Sequence, residues 1–315
     1  MREPLRVGIV GAGAVAFAVA AFLEQAGHRP KLWSPSGNRT ERMAAGDPLI
    51  ATGALEGRFA PAVAKSAQAL VEGADVVLLA LPANGHKTTM DAIAPFLVDS
   101  QAVIISSQAS FGALYLSKLL VQRGIEIPIV AWGTTLTGGR QTSDCEVMVS
   151  TVRKQVDIAT VPERLSVQGL SLCENLAGQC FVDRGGLMAI ALSNLNPQNH
   201  LGIALCNLTR MERGENWSQG QNVTPAVGRL LEALDKERLA IAAALNLKVR
   251  SIFEHFHLSF HVPVASVSDM NQKMHEEGRG GSGPPTAESR YVLEDVPFGL
   301  VVTEVLGQLA GRPTI

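Results

Sequence analysis

The sequence predicts an α/β protein in which a doubly wound parallel sheet is followed by an all-helical C-terminal domain. Short apolar runs alternate with helical patterns over residues 5–182, which is typical of a parallel sheet with covering helices. After Gly185-Gly186 the apolar spacing becomes helical, with one polar interruption at residues 266–289. A chain of 315 residues with 46% hydrophobic content is long enough for two cores. We therefore expect two domains, residues 1–184 and 185–315.

The first strand and helix carry a glycine pattern that predicts dinucleotide binding. The apolar run at residues 7–10 is followed by Gly11-Ala-Gly13-Ala-Val-Ala16 and an apolar helix, the G-x-G-x-x-A form of the fingerprint. Gly11 permits a tight turn, Gly13 lets a pyrophosphate approach the backbone, and Ala16 lets helix and strand pack closely. With a second strand at residues 30–34, this predicts a Rossmann domain. The predicted cofactor contacts are Gly11, Gly13, Ala14 and Val15. The alternative is a tight turn with no ligand.

The end of the second strand favours NADP over NAD. NAD enzymes usually carry an Asp or Glu there, which hydrogen-bonds the ribose 2′-hydroxyl. This chain has Ser34 instead, with Arg39 five residues later. A hydroxyl and a guanidinium would both donate to a 2′-phosphate, which a carboxylate would repel. The alternative is that Arg39 is an ordinary solvated loop charge, in which case NAD stays open.

Three other predicted strands end in candidate contact residues, at the edge where doubly wound sheets bind ligands. Leu81-Pro82 ends an apolar strand and is predicted to contact the cofactor. Gln108 and Thr135 follow the next two strands and are candidates for contact with the substrate. The alternative is that both are ordinary polar loop residues.

Composition excludes several classes of function. The net charge is −2, and no basic stripe or tail occurs, so nothing favours nucleic acid or an anionic membrane. Neither a secretory-signal pattern nor a run of 18 apolar residues is present, so we expect a cytoplasmic protein. The four cysteines have no C-x-x-C spacing and are expected to be reduced, buried thiols. Oligomeric state stays open, with a homodimer as one option.

The helical domain carries the more specific signal. Four segments resemble the opine dehydrogenase family, the octopine and nopaline dehydrogenases, with the nopaline branch nearest. They are Asn194-Leu-Asn-Pro-Gln-Asn-His200, Asn207-Leu-Thr-Arg-Met-Glu-Arg-Gly-Glu-Asn-Trp217, Asp235-Lys-Glu-Arg238 and Arg290-Tyr-Val-Leu-Glu-Asp-Val-Pro-Phe-Gly-Leu300. The first domain agrees through Gly53-Ala-Leu-Glu-Gly57 and Leu81-Pro-Ala83. The resemblance covers nearly the whole chain, in matching order.

This resemblance implies an activity and three site residues. Members of the family couple an amino acid to a 2-oxo acid and reduce the imine with NAD or NADP. A catalytic His-Asp pair would be His200 and Asp295, and Arg290 would bind the carboxylate of the oxo acid. Several relatives have prolines directly after the histidine, whereas Leu201-Gly202 follow it in this chain. That departure concerns the shape of the pocket and the choice of substrate.

The chemistry of these side chains is consistent with those roles. Reducing an imine or carbonyl needs a proton donor near the reacting atom, and histidine suits it. A carboxylate on the other ring nitrogen fixes the tautomer, and a planar guanidinium matches a carboxylate. From spacing alone, His200 would be read as a helix-capping or core histidine and Arg290 as a surface arginine.

Two other interpretations stay open. The first is a ketopantoate-reductase-like enzyme that acts on a 2-oxo acid without an amine. Such enzymes use a lysine early in the second domain, and residues 185–192 contain none. The second is a non-catalytic nucleotide-binding sensor, which a Rossmann scaffold by itself never excludes.

A final expectation concerns residues 266–289, which are rich in Ser, Asn, Lys, Glu and Gly. A loop of that length is unusual inside a compact domain. The composition therefore favours a mobile lid.

Overall fold

The computed structural model describes residues 3–107 and 110–314. Its internal contacts divide the chain into two units, Met1–Ile190 and Ala191–Ile315. In the described part, the first unit (the sheet unit) carries all of the strands, whereas the second (the helical unit) is built from helices. The predicted class, an α/β sheet followed by a helical part, is confirmed.

The strands and helices of the sheet unit alternate only in part, because two runs of strands, within residues 49–63 and 129–161, have no helix between them. Its strands are β1 (Arg6–Val10), β2 (Arg29–Trp33), β3 (Leu49–Gly53), β4 (Gly57–Phe59), β5 (Ala62–Val63), β6 (Val76–Leu79), β7 (Ala102–Ser106), β8 (Ile129–Trp132), β9 (Thr137–Ser143), β10 (Glu146–Val152), β11 (Val156–Val161) and β12 (Phe181–Asp183). Its helices are α1 (Ala14–Gln25), α2 (Glu41–Ala44), α3 (Ala67–Val71), α4 (His86–Ile93), α5 (Gly112–Val121) and α6 (Ser166–Ala177), and α7 (Leu187–Ser193) leads into the helical unit.

The main sheet has the order β12-β11-β8-β7-β6-β1-β2-β5. Its neighbours run parallel except β11, which is antiparallel to β8. From β1 the chain moves first to β2 on one side and later to β6 on the other, so β1 and β6 flank the switch point. Ligands bind at such a point in doubly wound sheets. All four residues of β6 are buried, as expected for a strand covered on both faces.

A second, smaller sheet was not predicted. It has the order β4-β3-β10-β9 and shares one apolar core with α1 and the main sheet. Helix α1 therefore buries Ala16 to Ala21 without interruption, which explains why it is apolar on every side. Strand β9 escaped prediction because its sequence, TGGRQTS, lacks apolar alternation. Strands β3 and β4, which three residues separate, form an antiparallel hairpin.

The helical unit packs around one long helix. Its helices are α8 (Asn196–Cys206), α9 (Leu208–Glu212), α10 (Pro225–Ala244), α11 (Ile252–Phe260), α12 (Val267–Glu276), α13 (Arg290–Leu293) and α14 (Val301–Leu309). Helix α10 contacts α8, α12 and α14. Its Leu231 lies in an apolar core with Ile203, Phe256 and Met270.

The expectation of a structureless loop at residues 266–289 is wrong for its first half. Residues Val267–Glu276 form α12, and the Oγ of Ser266 accepts a hydrogen bond from the backbone N–H of Asp269. Two of the polar residues in this stretch, Ser268 and Asn271, are buried and hydrogen-bonded. The hydroxyl of Ser268 donates to the carbonyl of Val223, and the amide of Asn271 donates to the carbonyl of Val267.

The cysteines are free thiols in unlike surroundings. Cys145 and Cys173 are buried and Cys180 is half-buried, but Cys206 is exposed, so the expectation of four buried thiols is wrong for Cys206. Burial raises the pKa of the Cys173 thiol to about 12, which keeps it protonated and unreactive at neutral pH.

Within residues 3–107 and 110–314, no helix is both long enough and apolar enough to cross a membrane. In the same ranges, no group of three or more His, Cys, Asp or Glu side chains is arranged to hold a metal ion.

Candidate active site

The turn between β1 and α1 is shaped by its first glycine. Gly11 has φ +132°, and a Cβ there would lie 2.3 Å from the carbonyl oxygen of Ala80, so a side chain does not fit. Gly11 donates its N–H to the carbonyl of Trp33, which holds the turn against β2. Ala16 is fully buried beside it. The turn therefore brings the start of α1 to the switch point of the sheet.

The open side of this turn fits a dinucleotide phosphate. Nothing in the protein lies within 4 Å of the position that a Cβ of Gly13 would occupy. Gly13, Ala14 and Val15 are half-buried at the start of α1, whose first N–H groups have no carbonyl partner inside the helix. Such a helix start attracts anions because its unpaired N–H groups and its dipole both favour negative charge. The residues present thus suit a pyrophosphate.

Strand β2 ends in hydroxyl groups rather than a carboxylate. Ser34 is buried, and its Oγ lies 3.1 Å from the Oγ of Ser36. Arg39 lies in the same loop, is exposed, and has φ +67°. The loop can therefore offer two hydroxyl groups and one guanidinium to a phosphate.

Among the other predicted residues of the sheet unit, Leu81, Pro82 and Thr135 lie at the carboxyl ends of their strands. Leu81 and Pro82 follow β6, and their carbonyls accept hydrogen bonds from the His86 ring and from the N–H of Gly85. Thr135 follows β8 and is half-buried, and its carbonyl accepts a hydrogen bond from Arg153. Gln108 lies outside the described residues.

In the helical unit, the structure brings His200, Arg290 and Asp295 together. Nδ1 of His200 lies 2.7 Å from Oδ2 of Asp295 although the two residues are 95 positions apart. Their side chains are only 15% and 8% exposed. A carboxylate at this distance accepts the Nδ1 proton, which leaves Nε2 as the ring atom able to exchange a proton with a substrate. Within the helical unit, no described group hydrogen-bonds Nε2.

A local irregularity places Asp295 opposite α8. The chain continues from α13 through Asp295 into a π-helical turn at Val296–Leu300 and then into α14. Gly299 of this turn packs on Pro197 of α8, where a Cβ would lie 2.3 Å from the Cγ of the proline ring. This close approach holds the turn that carries Asp295 against the helix that carries His200. Single π-helical turns of this kind are frequent at functional sites.

Arg290 lies beside this pair with its side chain largely free. Its Nε is 3.9 Å from Oδ2 of Asp295 and 3.9 Å from Oε2 of Glu294. The side chain is 61% exposed, so the guanidinium has room for a further anionic partner.

Tyr291 had no predicted role, but its ring covers one face of the His200 imidazole. The rings of His200 and Tyr291 are parallel to within 6°, and their centroids are 3.6 Å apart. The hydroxyl of Tyr291 donates to Oε1 of Gln219 at 2.5 Å. Burial raises the pKa of the Tyr291 phenol, an effect that the charge of Arg290 opposes and that of Asp295 supports, so the group stays a neutral donor. Tyr291 lies only four residues before Asp295, and this closeness in sequence was the available signal.

Comparison with known proteins gives a family for each part of the chain. Residues 183–315 match the model for the α-helical domain of NAD/NADP octopine/nopaline dehydrogenase. Residues 7–163 match the model for ketopantoate reductase PanE/ApbA.

Individual proteins match along the full length. An opine dehydrogenase from Arthrobacter sp. (strain 1C) is 30% identical over 318 residues, which cover 100% of this chain and 88% of the relative. The structure of an octopine dehydrogenase with NADH and L-arginine has a TM-score of 0.82 at 19% identity, over 98% of this chain and 85% of the other. The structure of a yersinopine dehydrogenase with NADP+ bound has a TM-score of 0.74 at 15% identity, over 98% of this chain and 87% of the other.

The two structures share the fold of this chain, and the Arthrobacter enzyme is similar to it in sequence over the whole of this chain. The resemblance to opine dehydrogenases is therefore confirmed, and nearness to the nopaline branch stays a prediction. The chain belongs to the opine dehydrogenase family, and it is an NAD(P)-dependent oxidoreductase.

Proposed function

We propose that this protein makes an opine by reducing the imine of an amino acid and a 2-oxo acid, with His200 as the general acid and base. The observation that carries the assignment is the Asp295–His200 hydrogen bond, 2.7 Å long and shielded from solvent. In the proposal, residues 1–184 bind the cofactor and residues 185–315 bind the substrates and hold the proton-transfer group. Gln108 and Thr135 are proposed substrate contacts of the first domain.

The proposed proton chemistry takes place at Nε2 of His200. The neutral ring accepts a proton from the ammonium group of the amino acid, which frees the amine to attack the oxo acid. The protonated ring then donates to the hydroxyl that leaves as water. Asp295 stabilises the imidazolium through Nδ1 and keeps Nε2 in the reactive tautomer. When bound, NADH or NADPH supplies the hydride. The cofactor would be held by the turn from Gly11 to Val15 together with Leu81 and Pro82.

The proposal is tested by a matrix of amino acids against 2-oxo acids. NADPH and NADH oxidation is followed at 340 nm, and products are identified by mass. The expected product is the sum of the amino acid and the oxo acid, less one water and plus two hydrogens. The proposal would be contradicted if NADPH or NADH were oxidised but no combination of substrates gave a product of that mass.

A second candidate is the ketopantoate-reductase-like reaction, favoured by the match of residues 7–163 to that family. The helical domain opposes it, because residues 183–315 match the octopine/nopaline model and residues 185–192 contain no lysine. The same matrix separates the two, since only a 2-oxo acid reductase would oxidise NADPH at full rate without an amine.

Arg290 is the proposed clamp for the carboxylate of the oxo acid. Replacing it by lysine keeps the charge but loses the two-pronged geometry. We expect KM for the oxo acid to rise about tenfold or more, with a smaller change in KM for the cofactor. Arg213→Lys is the matched control, since Arg213 is a 79% exposed arginine of the same unit. Equal KM values for the two variants would remove Arg290 from the site.

Ser34 and Arg39 are proposed to select NADP over NAD through the 2′-phosphate. We expect kcat/KM to be higher with NADPH than with NADH, and Arg39→Ala to lower the NADPH value about tenfold or more while leaving the NADH value nearly unchanged. Arg42→Ala is the control, because this nearby exposed arginine pairs with Asp47 instead. A strong preference of the unmodified enzyme for NADH would contradict the assignment.

The cellular setting is part of the proposal. We place the protein in the cytoplasm, as a single copy or a homodimer, acting on small molecules. Light scattering of the purified enzyme measures its mass against the 33.4 kDa of one chain.

A further inference from the structure

We propose that Tyr291, anchored by Gln219, is a positioning residue that fixes the plane of the His200 imidazole. This inference rests on the proposed catalytic role of His200. It concerns how the ring is held, and it adds two residues to those that the reaction needs.

The bond to Asp295 alone does not fix the ring. It constrains one ring atom, Nδ1, so a tilt of the imidazole by rotation about its Cβ–Cγ bond is opposed by a single hydrogen bond. Such a tilt displaces Nε2, the atom that exchanges the proton. Misplacement by about 1 Å is enough to cost a catalytic group much of its rate.

The phenol ring of Tyr291 supplies the second constraint. At a centroid separation of 3.6 Å and an angle of 6°, it lies in van der Waals contact with one whole face of the imidazole. A tilt towards that side would drive the two rings into each other. The face of an aromatic ring also attracts a nearby cation, so the stack is favourable when the imidazole holds both protons.

Both constraints on the His200 ring come from one short segment, residues 291–295. Tyr291 lies in α13, Asp295 follows two residues after the end of that helix, and both side chains contact His200 of α8. The carboxylate reaches the edge of the imidazole, and the phenol covers its face.

Gln219 keeps the phenol in place from a distant part of the chain. Its Oε1 accepts the Tyr291 hydroxyl at 2.5 Å across 72 residues. The backbone around Gln219 is itself tied down, since its N–H donates to the carbonyl of Gly281 and the N–H of Gly220 donates to Gly280. The segment 219–222 is therefore a fixed anchor, and the stack depends on its position.

The test separates the ring from its hydroxyl. Tyr291→Leu removes the stacking ring, and we expect kcat to fall about tenfold or more with little change in KM for NADPH. Tyr291→Phe and Gln219→Leu keep the ring but lose the anchor, and we expect about a threefold loss in each. The double variant should be no worse than either single one, because the hydroxyl and the amide act as one unit.

Tyr115→Leu is the matched control. Tyr115 is the other tyrosine of the chain, and it too donates a 2.5 Å hydrogen bond, to Asp91 in the sheet unit. We expect it to leave kcat unchanged. A kcat of Tyr291→Leu near that of the unmodified enzyme, or a loss confined to KM, would overturn the proposal.

The stacking of Tyr291 on His200 can also be measured by NMR, independently of the rate of the reaction. In the proton spectrum of histidine-labelled protein, the ring current of Tyr291 should shift the His200 ring protons upfield. Tyr291→Phe should keep that shift, whereas Tyr291→Leu should abolish it. If Tyr291→Leu does not fold, additive losses in the Tyr291→Phe and Gln219→Leu cycle overturn the proposal.

Full activity of His200→Gln in the same series would refute the role of His200. The ring-current result would then still report on the stack, so the two failures are distinguishable.

Discussion

We expect the replacement of His200 by glutamine to lower kcat for opine formation by about 10²–10⁴, which is about 3–5 kcal/mol in the barrier. Glutamine retains hydrogen-bonding groups but cannot carry a proton between substrate atoms. Asp295→Asn should cause a loss of similar order, because an amide can present an N–H to Nδ1 and so favour the wrong tautomer of the ring. Steady-state rates with NADPH in excess measure both.

Two comparisons make this result specific. The Kd for NADPH should stay within about twofold in both variants, since the proposed cofactor contacts are residues of the sheet unit. His261→Gln is the control for a histidine lost elsewhere in the helical unit, because His261 is exposed at the end of α11. A His200→Gln enzyme as fast as His261→Gln would exclude proton transfer by His200.

The second large effect concerns stability and depends on a buried ion pair in α10. Arg238 has no exposed surface and Asp235 is 2% exposed. Nε and Nη2 of the guanidinium donate to Oδ1 of Asp235. Nη1 donates to the carbonyl of Leu192, and Nη2 donates also to the carbonyl of Arg250. Oδ2 of Asp235 accepts the N–H of Ile252, the first residue of α11. The pair thus joins α10 to the chain on either side of it.

Asp235→Ala should therefore destabilise the protein by about 3–5 kcal/mol, because it leaves the charge of Arg238 buried without a counterion. Domains are typically stable by only about 5–15 kcal/mol, so much of the margin would be lost. Denaturant unfolding followed by circular dichroism measures the change in the free energy of unfolding.

Two further variants are measured in the same way, one at the ion-pair partner of Asp235 and one at an exposed residue as the control. Arg238→Met should cost a similar amount, and the double variant should cost clearly less than the sum, since the second change breaks no further ion pair. Lys236→Ala, exposed on the same helix, should stay within about 0.5 kcal/mol of the unmodified protein. Additive losses in the double variant would show that the two side chains act independently.

Much of the fold could be predicted because its signals are local. The buried strand β6 and the turn at Gly11 each depend on residues close in sequence, whose apolar runs and glycines act on the backbone directly. The prediction failed where packing overrides composition. Strand β9 pairs with β10 despite its polar, glycine-containing sequence, and α12 buries Ser268 and Asn271 because each finds a hydrogen-bond partner.

The candidate site divides in the same way. Read without reference to other proteins, the pattern around His200 favours a capping or core histidine, and only likeness to a family links it to Asp295. Distance along the chain explains this, since 95 residues separate the two members of the pair and 72 separate Tyr291 from Gln219. No short-range periodicity reports on contacts of that range.

The sequence by itself determined the class of the protein: a dinucleotide turn from Gly11 to Ala16, a parallel sheet behind it, and a helical part with the residues of an opine dehydrogenase. Only the tertiary structure decided how the imidazole of His200 is held, with Asp295 at its edge and Tyr291 on its face. The physical reason is that backbone turns and buried strands are encoded by neighbouring residues. The orientation of one ring is set instead by side chains that meet only after α8, α13 and the segment around Gln219 have packed together.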